Sequence, residues 1–159
     1  MTQSVLAKWL KGILLMVAAC GLGIYAVGIP IFGKKLATAN PEFAYCYVPW
    51  LVFLSVTAIP CFAVLVCGWK IAGNIGRDQS FSAANARYLR VAAVLAAADS
   101  VFLFAGNVVF LFLNMNHPGV LLAGMAAVLF GVAVSVAAAV LSHLVQKAAA
   151  LQEQSDFTI

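Results

Sequence analysis

The sequence has few charged residues: only 9% of its 159 residues are Asp, Glu, Lys or Arg, whereas 65% are apolar. Soluble domains usually carry about 25% charged residues, and a soluble helical bundle has a polar face on every helix. The long apolar stretches of this chain have no such face. The composition therefore excludes an ordinary soluble protein and predicts an integral membrane protein that lies in a lipid bilayer.

Residue patterns that carry out chemistry are also missing. The sequence contains no CxxC pair, no Cys and His cluster spaced for zinc, no paired carboxylates and no glycine loop that would hold a phosphate. We therefore predict no enzyme activity, no catalytic residue, no cofactor and no metal. Three of the four cysteines lie in apolar stretches, where a thiol behaves as a small apolar group. The fourth, Cys46, is predicted to be an unpaired thiol, with an intermolecular disulfide as the alternative.

Four apolar stretches each approach the length of about 20 residues that crosses a bilayer as a helix. We place these spans at about residues 12–32, 48–69, 91–113 and 120–144. The segments around them are too short to hold a hydrophobic core. The sequence thus predicts an all-α fold in which one transmembrane domain forms an antiparallel, up-down four-helix bundle. An inner loop at 70–90, with Ser82 as a candidate N-cap, and a tail at 145–159 complete the chain.

The basic residues fall mainly on one side of this predicted bundle. Seven of nine lie in the N-terminal segment, the inner loop or the tail, and only Lys34 and Lys35 lie on the other side. Short loops rich in Lys and Arg stay in the cytoplasm, so both termini are predicted to be cytoplasmic and the protein to span the plasma membrane several times. The net charge of +4 reflects this orientation, and direct binding of nucleic acid is not expected.

Asp99, Asn107 and Pro60 are the candidate functional residues inside the spans. An acidic group there costs about 2.5 to 3.5 kcal/mol, so Asp99 is expected to be protonated, paired or beside a hydrated cavity. A structural acid between helices and a role in handling protons or cations are both open. Asn107 is about 80° away around the helix and need not share a site with Asp99. The candidate partners of Asp99 are Ser55, Thr57, Ser100, Asn107, Ser135, Arg87 and Arg90.

Pro60 removes a backbone hydrogen bond near the middle of the second span and should kink that helix. The hydroxyl groups of Ser55 and Thr57 lie within one turn and are candidates to bind the carbonyl group that Pro60 leaves free. Such a kink is typical of a hinge, but also of static helices.

Small residues recur at every fourth position of the last span. Such a stripe lets two helix backbones approach closely in a membrane. It predicts packing against another helix of the same chain or against a second copy in a homo-oligomer, and the pattern does not choose between them. The stripe consists of Ala123, Ala127, Gly131, Ser135 and Ala139.

Two predicted cytoplasmic segments resemble a known family. The loop GRDQSFSAANARYL at 76–89 and the tail LQEQSDFTI at 151–159 are similar to the loop and the "L..E.DLTI"-like tail of small four-span bacterial membrane proteins, domain of unknown function 2975. The tail departs from that pattern at Gln154, Ser155 and Phe157. The resemblance implies a four-span fold. Because members are often encoded beside small helix-turn-helix regulators, it also suggests a cytoplasmic face that holds or releases a DNA-binding protein.

The leading interpretation is a non-enzymatic sensor or interaction protein with a cytoplasmic partner surface. One alternative is a small oligomeric transporter or channel subunit that uses Asp99, and another is an immunity factor against a membrane-active peptide. The predicted partner surface combines residues of the inner loop and the tail: Phe81, Asn85, Arg87, Glu153, Asp156, Phe157, Thr158 and Ile159.

Overall fold

The computed structural model describes residues 2–156, with only the backbone of Asp156 described. Within that range the chain is helical apart from short connections and contains no strand. Four helical segments are long and apolar enough to cross a membrane. The all-α, four-span fold predicted from the apolar stretches is thus confirmed. The four segments are Gln3–Ala39, Pro41–Ile75, Ala83–Phe112 and Pro118–Ser155.

The first segment combines α1 (Gln3–Gly23), a π-helical turn (Ile24–Gly28) and α2 (Ile29–Ala39). A 3-10 turn (Pro41–Cys46) leads into α3 (Tyr47–Ile75), which is followed by α4 (Ala83–Phe112) and α5 (Pro118–Asp156). Both flanks of the predicted 70–90 loop are therefore helical, and only residues 76–82 connect α3 to α4.

Neighbouring segments run in opposite directions. The first segment pairs with α3 from Ala7 beside Gly76 at one end to Gly33 beside Tyr47 at the other. The segments pack in chain order: α1 against α3, α3 against α4, and α4 against α5. Among the described residues, no Cα atom of α1 or α2 comes within 8 Å of α5. The four segments therefore form an open row rather than a ring.

The seam between α4 and α5 is held by small residues and serine hydroxyl groups. Ser142 and Ser135 of α5 donate to the carbonyl groups of Ala86 and Ala93 of α4, at 2.7 and 2.8 Å. Further along, Gly131 lies directly against the Ser100 hydroxyl. Hydroxyl-to-carbonyl bonds of this kind join helices where water is absent.

The predicted stripe on α5 is only partly correct. Gly131 and Ser135 contact α4, but the other three stripe residues, Ala123, Ala127 and Ala139, are exposed. A step of four residues advances about 40° around an α-helix, so such a stripe drifts away from a straight neighbour. The observed seam follows the mean spacing of 3.5 residues that keeps antiparallel helices in contact. Its members on α5 are Gly124, Val128, Gly131, Ser135, Ala138 and Ser142.

Aromatic rings fill the seam between α3 and α4. Phe53 stacks on Phe102 with ring centroids 4.8 Å apart, and Trp50 lies 4.6 Å from Phe110. Gly106 makes room for this cluster, because a Cβ atom there would overlap the Phe53 ring. Aromatic pairs in such tilted and stacked arrangements contribute beyond the area that they bury.

The surface of the chain is large for its mass. Its accessible area is 10343 Å², whereas a compact soluble monomer of 16.7 kDa exposes about 7,600 Å². Much of the excess is apolar, as at Phe112, Phe130 and Leu122, which are 83%, 73% and 71% exposed. In water these faces would drive aggregation, and in a bilayer the lipid tails cover them.

Candidate functional site

Polar side chains from three helices meet in the middle of the apolar segments. The Tyr25 hydroxyl lies 2.9 Å from the Thr57 hydroxyl and 3.7 Å from the Cys61 sulfur. The Cys61 thiol donates to Oδ2 of Asp99 at 3.5 Å, and the Thr57 hydroxyl donates to the Leu54 carbonyl. We call Tyr25, Thr57, Cys61 and Asp99 the polar chain. It links the first segment to α4 through α3.

Tyr25 lies in the π-helical turn Ile24–Gly28. Pro30 has no N–H group to bind the carbonyl of Ala26, four residues earlier. The N–H group of Ile29 binds a carbonyl five residues back instead of four, which widens the turn. Wide turns of this type are frequent at functional sites. Pro30 is the sequence signal that could have predicted this turn.

Asp99 has one bound and one unbound carboxyl oxygen. Oδ2 accepts from Cys61, while Oδ1 is buried with no hydrogen-bond partner among the described residues. The predicted partners of Asp99 are wrong, because Arg87 lies about 18 Å earlier along α4 and the remaining candidates bind elsewhere. Ser55, Thr57, Ser100, Asn107 and Ser135 donate to backbone carbonyl groups, and Arg90 binds Gln146.

The polar chain is open on one side. Thr57 is only 4% exposed, whereas Cys61 is exposed and Asp99 is half-buried. The chain can therefore hold three helices in register through hydrogen bonds that exclude water at Thr57. Within residues 2–156, no group of three His, Cys, Asp or Glu side chains comes together in a way that would hold a metal ion.

Asn107 belongs to a different region, as its angle from Asp99 predicted. It lies about 12 Å further along α4 and is 1% exposed. Its Nδ2 donates to the Leu103 carbonyl, and its own carbonyl accepts from Asn116 at 2.8 Å. A Cβ atom on Gly124 would lie 2.5 Å from the Asn107 amide. Asn107 therefore fixes the α4–α5 hairpin.

Pro60 lies next to Cys61, at the level of the polar chain, and α3 continues through it. The carbonyl group that Pro60 leaves without its usual partner is that of Val56. Ser55 and Thr57 donate to carbonyl groups four and three residues before themselves. The prediction that they bind the freed carbonyl is therefore wrong, since a helical hydroxyl reaches back along its own turn.

One buried side chain, that of Asn85, organises the connection 76–82. Asn85 is 1% exposed, and its Oδ1 accepts from Nδ2 of Asn74 at 2.8 Å. Its Nδ2 donates to the carbonyl groups of Gln79 and Ser80, at 3.0 Å each. The prediction that Asn85 belongs to an exposed partner surface is wrong, because its amide group is engaged within the loop.

The rest of the loop rests on the start of α1. The Ser80 hydroxyl donates to Oε1 of Gln3 at 3.1 Å. Ser82 accepts from the backbone N–H group of Asn85, which confirms Ser82 as the N-cap of α4. Phe81 is 59% exposed and Arg87 is exposed. These two members of the predicted partner surface are therefore accessible.

The C-terminal part of α5 projects past α4. Ser142 binds the first turn of α4 through Ala86, and α5 continues to Asp156, about 20 Å further. We call residues 143–156 the arm. Glu153 is exposed on it. The other predicted tail contacts, the side chain of Asp156 and residues Phe157, Thr158 and Ile159, lie outside the described part of the chain.

Comparisons with known proteins agree with this architecture. The family described as Protein of unknown function (DUF2975) matches residues 31–159. The chain is 29% identical over 150 residues to the Bacillus subtilis (strain 168) protein described as uncharacterized membrane protein YoaS. That alignment covers 87% of this chain and 94% of the relative. No solved structure matches. The family match includes Cys61, Asp99 and the arm, whereas Tyr25 precedes it.

Proposed function

We propose a role for this chain on the premise that it belongs to the DUF2975 family, a family of membrane proteins of unknown function. In this proposal the chain is a non-enzymatic interaction protein that presents its arm to a cytoplasmic protein. The observation that supports the proposal is the projection of α5 past the first turn of α4. An isolated helix of this length is marginal in water, and a bound partner would stabilise it.

The arm is amphipathic. Leu144, Ala148 and Leu151 follow one another at spacings of four and three residues, which places them on one face. Leu144 and Leu151 are 56% and 66% exposed, whereas Gln146 and Glu153 lie on the opposite face. Apolar positions at this spacing are the ones that an amphipathic helix places in a groove of its partner. Leu151 lies beyond the predicted membrane span and is the anchor residue in our proposal.

The open row favours interaction over transport. α1 and α2 do not come within 8 Å of α5, so the described part of one chain does not enclose a path between its helices. A transport role would need further copies of the chain to complete a pathway at Asp99. An arm that projects from the membrane needs no such assembly.

The proposed partner is a small helix-turn-helix regulator, which rests on the family resemblance of the loop and the tail. In that case the chain itself binds no DNA. It holds the regulator at the membrane or releases it, and its accessible loop residues Phe81 and Arg87 would flank the arm.

The test is crosslinking in intact cells, followed by purification of the full chain and mass spectrometry of the proteins bound to it. Leu151→Asp places a charge on the apolar face of the arm, while Ala150→Asp places the same charge away from that face. We expect a helix-turn-helix protein bound to the wild type and to the Ala150→Asp variant, and its loss from the Leu151→Asp variant. Equal recovery with both variants, or no regulator at all, would contradict the proposal.

A further inference from the structure

A groove of about 660 Å³ opens at the end of the molecule that holds the α4–α5 hairpin. One wall is the π-helical turn and α2, the other is the start of α5, and the base is the start of α3. Its volume is within the range of about 300–1,000 Å³ that is usual for small-molecule sites. We call it the hairpin-end groove. Residues of its walls and base include Phe32, Leu36, Trp50, Leu54, Val120 and Ala123.

The polar atoms that line this groove already have partners. The Tyr47 hydroxyl donates to a backbone carbonyl of α2 at 3.4 Å, and Nε1 of Trp50 donates to the Met115 carbonyl at 2.9 Å. Nδ1 of His117 accepts from the Gly119 N–H group at 3.1 Å. The lining thus has few free hydrogen-bonding groups for a ligand. A polar group placed deep in the groove would lose its own hydrogen bonds, which disfavours a peptide and favours a hydrocarbon.

The dimensions of the groove fit a lipid tail. On the first segment it is lined from Ile24 to Ala37, which is about 20 Å of helix. One leaflet of a bilayer contributes about 15 Å of hydrocarbon. The groove is open toward the bilayer between α2 and α5. A lipid tail can therefore enter sideways from the leaflet without crossing water.

The charge at the mouth of the groove selects the headgroup. Lys34 and Lys35 lie between the lining residues Gly33 and Leu36, and both are exposed. They are the two basic residues that do not follow the charge bias of the chain. Basic side chains near a membrane surface attract anionic lipids. A headgroup role gives a physical reason for their position.

We propose that the hairpin-end groove binds one acyl chain of an anionic phospholipid, with the headgroup near Lys34. The proposal is independent of the role of the arm, which lies at the opposite end of α5. It assigns this end of the molecule a bound lipid that differs from the lipid that covers the outer faces.

Trp50 provides a reporter inside the groove. The chain has three tryptophans, so Trp9→Phe and Trp69→Phe leave Trp50 as the single fluorophore. The protein is reconstituted in phosphatidylcholine vesicles, and phosphatidylglycerol with brominated acyl chains is added in steps. We expect quenching of Trp50 to saturate at about a tenfold lower mole fraction than with brominated phosphatidylcholine, as for a site where two lysines meet an anionic headgroup.

Two filled grooves and one matched control complete the test. Ala123→Phe fills the groove from α5, and Gly28→Leu fills it from the first segment, where a Cβ atom meets only the Gly23 carbonyl at 3.7 Å. Ala127→Phe adds the same ring to an exposed alanine one turn away. We expect both filled variants, but not the control, to lose the saturating component.

Quenching that rises with bulk mole fraction and is equal in all variants would overturn the proposal. Equal saturation by both lipids would overturn the assignment of an anionic headgroup, as would an unchanged preference in a Lys34→Gln, Lys35→Gln variant. Far-ultraviolet circular dichroism shows that each variant is folded. If one filled variant unfolds, the other decides.

Discussion

The connection 76–82 depends on Asn85, so Asn85→Ala should open it. The substitution removes three side-chain hydrogen bonds, of 2.8, 3.0 and 3.0 Å, to Asn74, Gln79 and Ser80. Each such bond contributes about 1 kcal/mol net, so the free energy of opening the loop should fall by about 3 kcal/mol. Since 1.4 kcal/mol is a factor of ten, the open form should become about 100-fold more populated.

Hydrogen exchange of the loop amides measures this opening. The N–H groups of Arg77 and Gln79 both bind the Asn74 carbonyl at 3.0 Å, and their exchange in the folded protein should accelerate by about 100-fold. Phe81→Ala is the control, because this side chain is 59% exposed and should leave the exchange rates unchanged. If the Asn85→Ala variant exchanges like the wild type, Asn85 does not hold the loop and the reasoning is refuted.

Two further predictions concern the helix seams. Gly106→Ala should lower the thermal midpoint in detergent, since the new methyl group overlaps the Phe53 ring and overpacking costs about 1–3 kcal/mol. Gly23→Ala, with no atom within 4 Å, should not lower it, and equal midpoints for the two variants would contradict the seam. Asp99→Asn keeps an oxygen that accepts from Cys61 and should retain the wild-type midpoint, whereas Asp99→Leu should lower it. Equal losses in both would show that the hydrogen bond is not what Asp99 contributes.

The segments of the fold could be predicted from the sequence because hydrophobic length is a local property. A run of about 20 apolar residues specifies a span wherever its neighbours lie. The packing face of α5 could not be predicted as reliably, because small residues occur all around this helix. Ala123 and Ala127 look like packing residues by spacing, but the α4 seam selects Gly124 and Val128 instead. A spacing of 3.5 residues, rather than four, is the pattern that identifies this seam.

The polar chain illustrates a different limit. Asp99 was identified because a charge in an apolar span is unusual at the level of sequence. Its partner Cys61 was not, because a cysteine in an apolar helix is usually a small apolar residue. The contact depends on the register between α3 and α4, which the aromatic cluster around Phe53 and Gly106 sets. Local sequence does not specify that register.

The two proposals follow from one property of α5, which packs along α4 alone. At the hairpin end this leaves a gap beside α2, which is the groove, and at the other end it leaves the arm without a neighbour. The two features lie about 40 Å apart along one helix, from Ala123 to Leu151, so each can fail without the other. Ala123→Phe should remove lipid-dependent quenching of Trp50 and leave partner capture intact, while Leu151→Asp should do the reverse. A variant that abolished both would point to a damaged α4–α5 seam rather than to either site.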